Sequence, residues 1–259
     1  MPMKVAVITG STQGIGHALA LALRELGYGV VISCADGAEA ACVAAEMGGV
    51  RNGVVGIGCD VTRADEVQAL WEGACEFFGQ IDVWVNNAGL ALTGQPLALQ
   101  DEGDMRRMLD VNVMGTLLGT RTALAGMSAR GGGAIYNMLG AGADGVPVPR
   151  MGGYATTKAA VTYMTRSMAA EVEGSGVVIG ALSPGLVLTE GFWREHARLS
   201  PDERPAREVV VNILGDRPDT IGRWAARIID TNAQNGRVFS WLTPDKIRRR
   251  RAQEGRRVL

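Results

Sequence analysis

The chain has 259 residues, of which 47% are hydrophobic and 20% charged, and its formal net charge is −1. That length suits one large α/β domain, and the even mixture of apolar and charged residues excludes a low-complexity or disordered chain. The small net charge hides an acidic body, which excludes a general nucleic-acid binder: Asp245 to Leu259 hold seven basic and two acidic side chains, leaving about −6 elsewhere.

No stretch approaches the ~20 uninterrupted apolar residues of a membrane span. The start, MPMKVAVITG, runs straight into a strand pattern with no charged leader, long apolar core or cleavage site, so a cytoplasmic location is expected. Cys34, Cys42, Cys59 and Cys75 form no CxxC pair and have no histidine cluster nearby, so reduced, mostly buried thiols are expected, with neither zinc nor disulfides. The basic tail, 246–259, reads either as a solvated or subunit-contacting end or as a weak attraction to an anionic membrane surface. Disorder is expected only there.

Short apolar runs alternate with helical patterns along the chain. VAVIT (5–9) precedes a helical stretch from Ile15 to Leu26, VVIS (30–33) one near Ala38–Met47, and VVGIGC (54–59) one near Ala64–Phe78. IDVWVNN (81–87) leads into a long helical region, Asp104–Ala129, and AIYNM (134–138) into a helix over Tyr154–Glu173, before VVIGAL (177–182). Strands buried on both faces read as continuous apolar runs, and their alternation with helices implies a parallel sheet. The expected architecture is one doubly wound, Rossmann-like α/β domain over 1–245, three layers thick, with a mostly parallel seven-stranded sheet. Beyond Pro184 the pattern loosens, with prolines at 201, 205 and 218, until a helix near Asp219–Asp230 and a last strand, RVFSW (237–241). Insertions after a strand's carboxyl end overlie the ligand crevice in such folds, so the region of 188–217 is the expected substrate lid.

Thr9-Gly10-Ser11-Thr12-Gln13-Gly14-Ile15-Gly16 lies between the first strand and the first helix. Gly10 suits the tight turn, Gly14 lets backbone approach phosphate, and Gly16 lets helix and strand pack closely, while helix N–H groups meet the anion. At the end of the second strand stands Ile32-Ser33-Cys34-Ala35-Asp36. Neither an acid for a ribose nor a base for a 2′-phosphate sits directly there, and Gln13 is neutral too. Asp36 reads equally as a ribose contact or a helix cap. Asp60-Val61, after the third strand, is placed to meet adenine, or to cap the next helix in competition with Thr62.

TGSTQGIG, then Asn86-Asn87-Ala88-Gly89, Asn112 in VNVMG, Tyr154-x-x-x-Lys158 and Ser183-Pro184-Gly185 follow one another in an order that resembles the short-chain dehydrogenase/reductase family over nearly the whole chain. The resemblance implies a nicotinamide cofactor and Tyr154 as proton donor. Lys158, one helical turn on, would share its face, lower its pKa from ~10 and bond the nicotinamide ribose. It implies Asn112 as holder of a relay water, Asn86, Ala88 and Gly89 as cofactor neighbours, and Pro184, Gly185, Val187 and Thr189 at the carboxamide. A homodimer or homotetramer is expected by the same analogy.

The family's usual serine falls at Gly140, and a lost pre-organised donor costs a factor of about 10² to 10³ in rate. The run NMLGAGADGVPVPRMGGYATTK, together with LSPGLVLT (182–189), VVNILGDRPDTI (210–221) and WLTPDK (241–246), is similar to the chlorophyll(ide) b reductase branch. That branch reduces a 7-formyl tetrapyrrole with NADPH and has the same glycine. The resemblance implies a small-molecule carbonyl substrate of tetrapyrrole type, with Leu139, Gly140, Ala141, Phe192 and Trp193 beside it; the basic tail either lies across a neighbouring subunit or meets a pigment-bearing membrane. Leu139 and Ala143 depart from the branch's Asp and Ser, and Gln13 and Ala35 from its basic residues, so both NADH and NADPH stay open as cofactor. Another bulky apolar carbonyl or alcohol is the second substrate reading, and a low-activity cofactor-binding scaffold the third.

Overall fold

The computed structural model describes residues 3–197, 199–253 and 257–258. Seven strands form its central sheet: β1 (Val5–Thr9), β2 (Gly29–Cys34), β3 (Val54–Gly58), β4 (Val83–Asn86), β5 (Gly133–Met138), β6 (Val177–Ser183) and, last in the chain, β9 (Val238–Ser240). Their order is β3-β2-β1-β4-β5-β6-β9 and every pairing is parallel. The doubly wound fold is thus the one that alternating apolar runs and helices imply.

Along β1, Ala6 and Ile8 face one layer with Leu19, Leu23 and Ile32, and Val7 faces the other with Leu70, Trp84 and Ile135. Both faces of the strand are covered, which is why its sequence carries no polar alternation. The covering helices are α1 (Gly14–Glu25), α2 (Gly37–Glu46), α3 (Ala64–Phe78), α5 (Gly115–Arg130), α6 (Gly152–Glu171) and α9 (Pro218–Thr231).

The helical region expected over Asp104–Ala129 is not uniform. α4 (Glu102–Leu109) passes into a wide π-type turn at Asp110–Met114 before α5 begins. That turn carries the buried Asn112, and wide turns of this kind mark functional positions in helices.

Two further corrections concern the C-terminal third. The lid is mostly helical: α7 (Glu190–Ala197) and α8 (Arg204–Leu214) flank a short parallel ribbon of β7 (Leu186–Val187) and β8 (Gly215–Asp216). Its prolines do not oppose this, because Pro205 and Pro218 occupy first turns, where a missing N–H costs nothing. The tail is not merely solvated: α10 (Pro244–Ala252) starts from a Thr243 cap and buries Arg250, while residues 254–256 and 259 lie outside the described residues. Of the cysteines only Cys59 is fully buried, and Cys42 is exposed.

Candidate active site

The carboxyl ends of β1, β4, β5 and β6 open on one crevice, at the point where the strand order departs from β1 in two directions. Its first wall is the β1–α1 turn. Gly10 and Gly14 have φ of +60° and +59°, which side chains rarely adopt. A Cβ on Gly10 would lie 2.8 Å from Ala88 Cα, and one on Gly14 3.2 Å from Thr189 Cγ2. A Cβ on Gly16 would collide with Gly10 O and with Asn87 Nδ2, which itself donates to Thr9 O and Gly10 O at 2.9 and 2.8 Å. These glycines let the loop after β4 and the segment after β6 close on the turn from both sides.

Gln13 offers α1 no side-chain cap, and the helix has no acid in its first turn, so its leading N–H groups are left for an anion. The cradle therefore fits a dinucleotide pyrophosphate. Thr12 and Ile15 are partly buried beside it. Ser11 contributes backbone only, because its hydroxyl donates to Ile8 O at 2.7 Å and accepts from Ser33 N at 3.0 Å. Beyond β2, Ala35 is exposed, and Asp36 accepts from the N–H groups of Ala38 and Glu39, so it serves as the cap of α2. Asp60 likewise turns its carboxylate to the N–H and hydroxyl of Thr62, and the neighbouring Val61 is buried against Gly115.

Asn86 ends β4 at the crevice but turns its side chain into the fold. Its side chain accepts from Trp84 Nε1 and donates to Thr120 and Asn137, whose amide continues to Thr165. The reason is burial: a half-satisfied amide at the centre of the sheet is costly, so the network closes on itself. Gly89 comes closer to the chemistry, since a Cβ there would lie 3.3 Å from Asn112 Oδ1 and 3.6 Å from Lys158 Nζ.

Tyr154 and Lys158 sit on the first turns of α6. Lys158 is buried, donates to Met138 O at 3.0 Å, and holds Nζ 5.7 Å from the centre of the Tyr154 ring. Burial pulls its pKa down to about 8. The Tyr154 phenol is pushed up to about 12, first by burial and then by the Glu195 carboxylate. The resemblance implies that the ammonium lowers the phenol; in the structure burial and then Glu195 push it the other way, and Nζ donates to the Met138 carbonyl.

Asn112 acts as a brace. Its Oδ1 accepts from Leu90 N at 2.7 Å, and Nδ2 donates to Leu90 O and Thr157 Oγ1 at 2.8 and 3.0 Å. Its carbonyl accepts from Thr116 Oγ1 at 2.7 Å. The brace thus ties the loop after β4 to α6, one residue before Lys158.

Gly140 lies directly against Tyr154: a Cβ there would clash with Oη and stand 3.0 Å from Cζ. Ala141 is exposed at the rim, but Leu139 is buried with Val161, Met164 and Ala181. An apolar side chain at that position joins the core instead of facing substrate. Phe192 is displaced in the same way, buried with Leu188 and Val211 as the lid's own core, whereas Trp193 stacks edge-on to it and stays exposed. Pro184 is buried, and Gly185, with φ +77°, turns the chain into the strap Leu186–Thr189, where Val187 is buried and Thr189 reaches Gly14.

Two contacts seat the lid on the crevice rim. Thr93 Oγ1 donates to Glu195 Oε1 at 2.8 Å, and Arg150 Nη1 to Glu203 Oε1 at 3.0 Å. Neither Thr93 nor Glu195 stands out in the sequence, since 102 positions separate them and no local pattern links them.

Sequence comparisons agree with this geometry. The profile of the short chain dehydrogenases matches residues 4–199. Chlorophyll(ide) b reductase NOL of Arabidopsis thaliana is 39% identical over 191 residues, covering 71% of this chain and 55% of that protein. This chain therefore spans little more than half the length of that relative. L-fucose dehydrogenase of Oryctolagus cuniculus is 36% identical over 207 residues, covering 78% of this chain and 69% of its own. A crystal structure of gluconate 5-dehydrogenase from Burkholderia cenocepacia, in complex with NADP and tartrate, superimposes with a TM-score of 0.82 at 27% identity, covering 93% of this chain and 94% of that one. With its glycine cradle, buried lysine and overlying phenol in one crevice, the chain belongs to the short-chain dehydrogenase/reductase family.

Proposed function

We propose that this protein reduces the 7-formyl group of a chlorophyll(ide) b to hydroxymethyl. The observation that carries the hydride-transfer chemistry is the Tyr154 phenol beside the buried Lys158 ammonium in the crevice that the glycine cradle opens on. The neutral phenol can give its proton to a carbonyl oxygen in reduction. A nicotinamide cofactor held by the glycine cradle of residues 10–16 would supply the hydride. Tyr154 Oη gives its proton to the carbonyl oxygen, so that aldehyde, hydride and proton together make the alcohol. Lys158 is held beside the phenol by the Met138 carbonyl, and Asn112 holds the Gly89 loop and α6 together around both. Substrate identity rests on the similarity to the chlorophyll(ide) b reductases.

Incubation with chlorophyllide b and each reduced nicotinamide is expected to shift the absorption spectrum as the formyl group is lost. An unchanged spectrum, with nicotinamide oxidised by other carbonyls in a panel, would favour the second reading: a reductase or dehydrogenase for another bulky apolar substrate. The similarity to L-fucose dehydrogenase, a relative named for a different substrate, keeps that alternative in view.

Cofactor choice follows from charge. Gln13 and Ala35 are exposed and neutral, and the Asp36 carboxylate caps α2 at the same edge, so nothing there attracts a 2′-phosphate. We expect NADH to give a kcat/KM comparable with or above that for NADPH; a preference for NADPH of about a hundredfold, close to 3 kcal/mol, would overturn this. A dimer or tetramer formed on α4–α6 fits the exposed Leu109, Met114 and Tyr163 on those elements.

A further inference from the structure

Two stretches of the sequence have no part in the chemistry above: NILGDRP, at the end of the lid, and WLTPDK, after the last strand. The fold brings them together. Asp216 is 8% exposed and Arg250 9%, and the guanidinium donates to both carboxylate oxygens, at 2.8 and 2.7 Å. Trp241 Nε1 donates to Asp216 Oδ2 at 2.6 Å. Arg250 also reaches Ile213 O at 3.4 Å.

Asp216 is the register partner of Val187, and its carbonyl accepts from Leu188 N at 2.9 Å. It therefore holds the strap through backbone while its side chain is held from α10 and from Trp241, the residue after β9. Next to it, a Cβ on Gly185 would lie 2.6 Å from Leu242 Cγ, so WLTPDK presses on the pivot of the strap as well. Trp241 N completes the contact by donating to Ser183 O at 2.9 Å. The β7–β8 ribbon has only two residue pairs and is separate from the main sheet, so its position depends on such anchors.

We propose that Asp216, Arg250 and Trp241 are positioning residues that set the Leu186–Thr189 strap against the nicotinamide cofactor. The basic tail is then a clamp for the cofactor site. A buried ion pair in which one guanidinium nitrogen reaches both carboxylate oxygens suits this role, because breaking a pair held out of water is costly.

The test is direct binding of NADH and NADPH by titration calorimetry, with melting temperature measured in parallel, so it needs no substrate and stands apart from the chlorophyllide b reading. Arg250→Met is expected to weaken cofactor binding about tenfold or more, and Arg250→Lys to restore most of that. Trp241→Phe keeps the ring and removes one donor, so about a threefold loss is expected with little change in melting. If Arg250→Met does not fold, Trp241→Phe decides alone. Binding within about twofold of the parent in the variants that fold, whatever their melting temperature, would reduce the network to an anchor for α10 and overturn the proposal.

Discussion

Replacing Tyr154 with phenylalanine is expected to lower turnover by about three orders of magnitude while leaving cofactor affinity within a few-fold, because a positioned general acid contributes about 10²- to 10⁴-fold. The substitution removes one oxygen from a ring that is otherwise held by the same packing. The phenol makes no hydrogen bond to another side chain among the described residues that the fold would miss. A loss of less than about tenfold would mean that another group gives the proton, and Tyr154 would lose its role.

The pH profile of the parent tests the same assignment. The phenol is pushed up to about 12, so it is protonated throughout the neutral range and imposes no limb there. Lys158 is drawn down to about 8 by burial, so its charge is present below that pH and disappears above it. With the ammonium gone, charge developing on the substrate oxygen loses its nearest cation. Reduction should therefore be level through pH 6 to 7 and decline as pH rises through about 8, measured as kcat at saturating cofactor. A rate that climbs across that range would contradict the lysine's place in the site.

Much of this arrangement was legible in the sequence, for a physical reason in each case. Strands buried on two faces, such as VAVIT and VVIS, announce a parallel sheet because no polar alternation is tolerated. The Gly10, Gly14 and Gly16 spacing is readable because each position answers a local steric demand, two by positive φ and one by contact with Asn87. Tyr154 and Lys158 share a helix face at a fixed spacing.

What stayed illegible depends on partners far away in the chain. The lid reads as loose because α7 and α8 are short and proline-flanked, and their order comes from Leu188, Phe192 and Val211 packing together. Asn86 and Leu139 read as site residues from their positions in motifs, yet burial directs one into a closed amide network and the other into the core. The tail reads as a run of charge, since nothing near Arg250 announces that Asp216, 34 positions earlier, will neutralise it. Glu195 is the same kind of case: it bears on the Tyr154 phenol only because Thr93 and the lid place it there.

Gly140→Ser is the substitution that bears most on how this site differs from the family's usual pattern, and it is expected to reduce activity instead of raising it. Read from sequence alone, the glycine is a lost donor, and restoring a serine hydroxyl would recover a factor of about 10² to 10³. The geometry opposes that. A Cβ at residue 140 would clash with Tyr154 Oη and stand 3.0 and 3.2 Å from Cζ and Cε1, so serine cannot enter until the phenol or the loop shifts. The ring has little room to yield, because Thr157 and Lys158, three and four residues along α6, are fixed to Asn112 and to the Met138 carbonyl. A displacement of about 1 Å in a reacting group costs on the order of a hundredfold, and the hydroxyl that serine adds does not compensate if the proton donor is misplaced. Gly140→Ala separates the two effects, since it adds the same Cβ without a donor. Both variants should fall by about a hundredfold in kcat with cofactor binding retained. A Gly140→Ser variant more active than its parent, with Gly140→Ala less active, would show that the phenol moves freely and that the glycine is a lost donor after all.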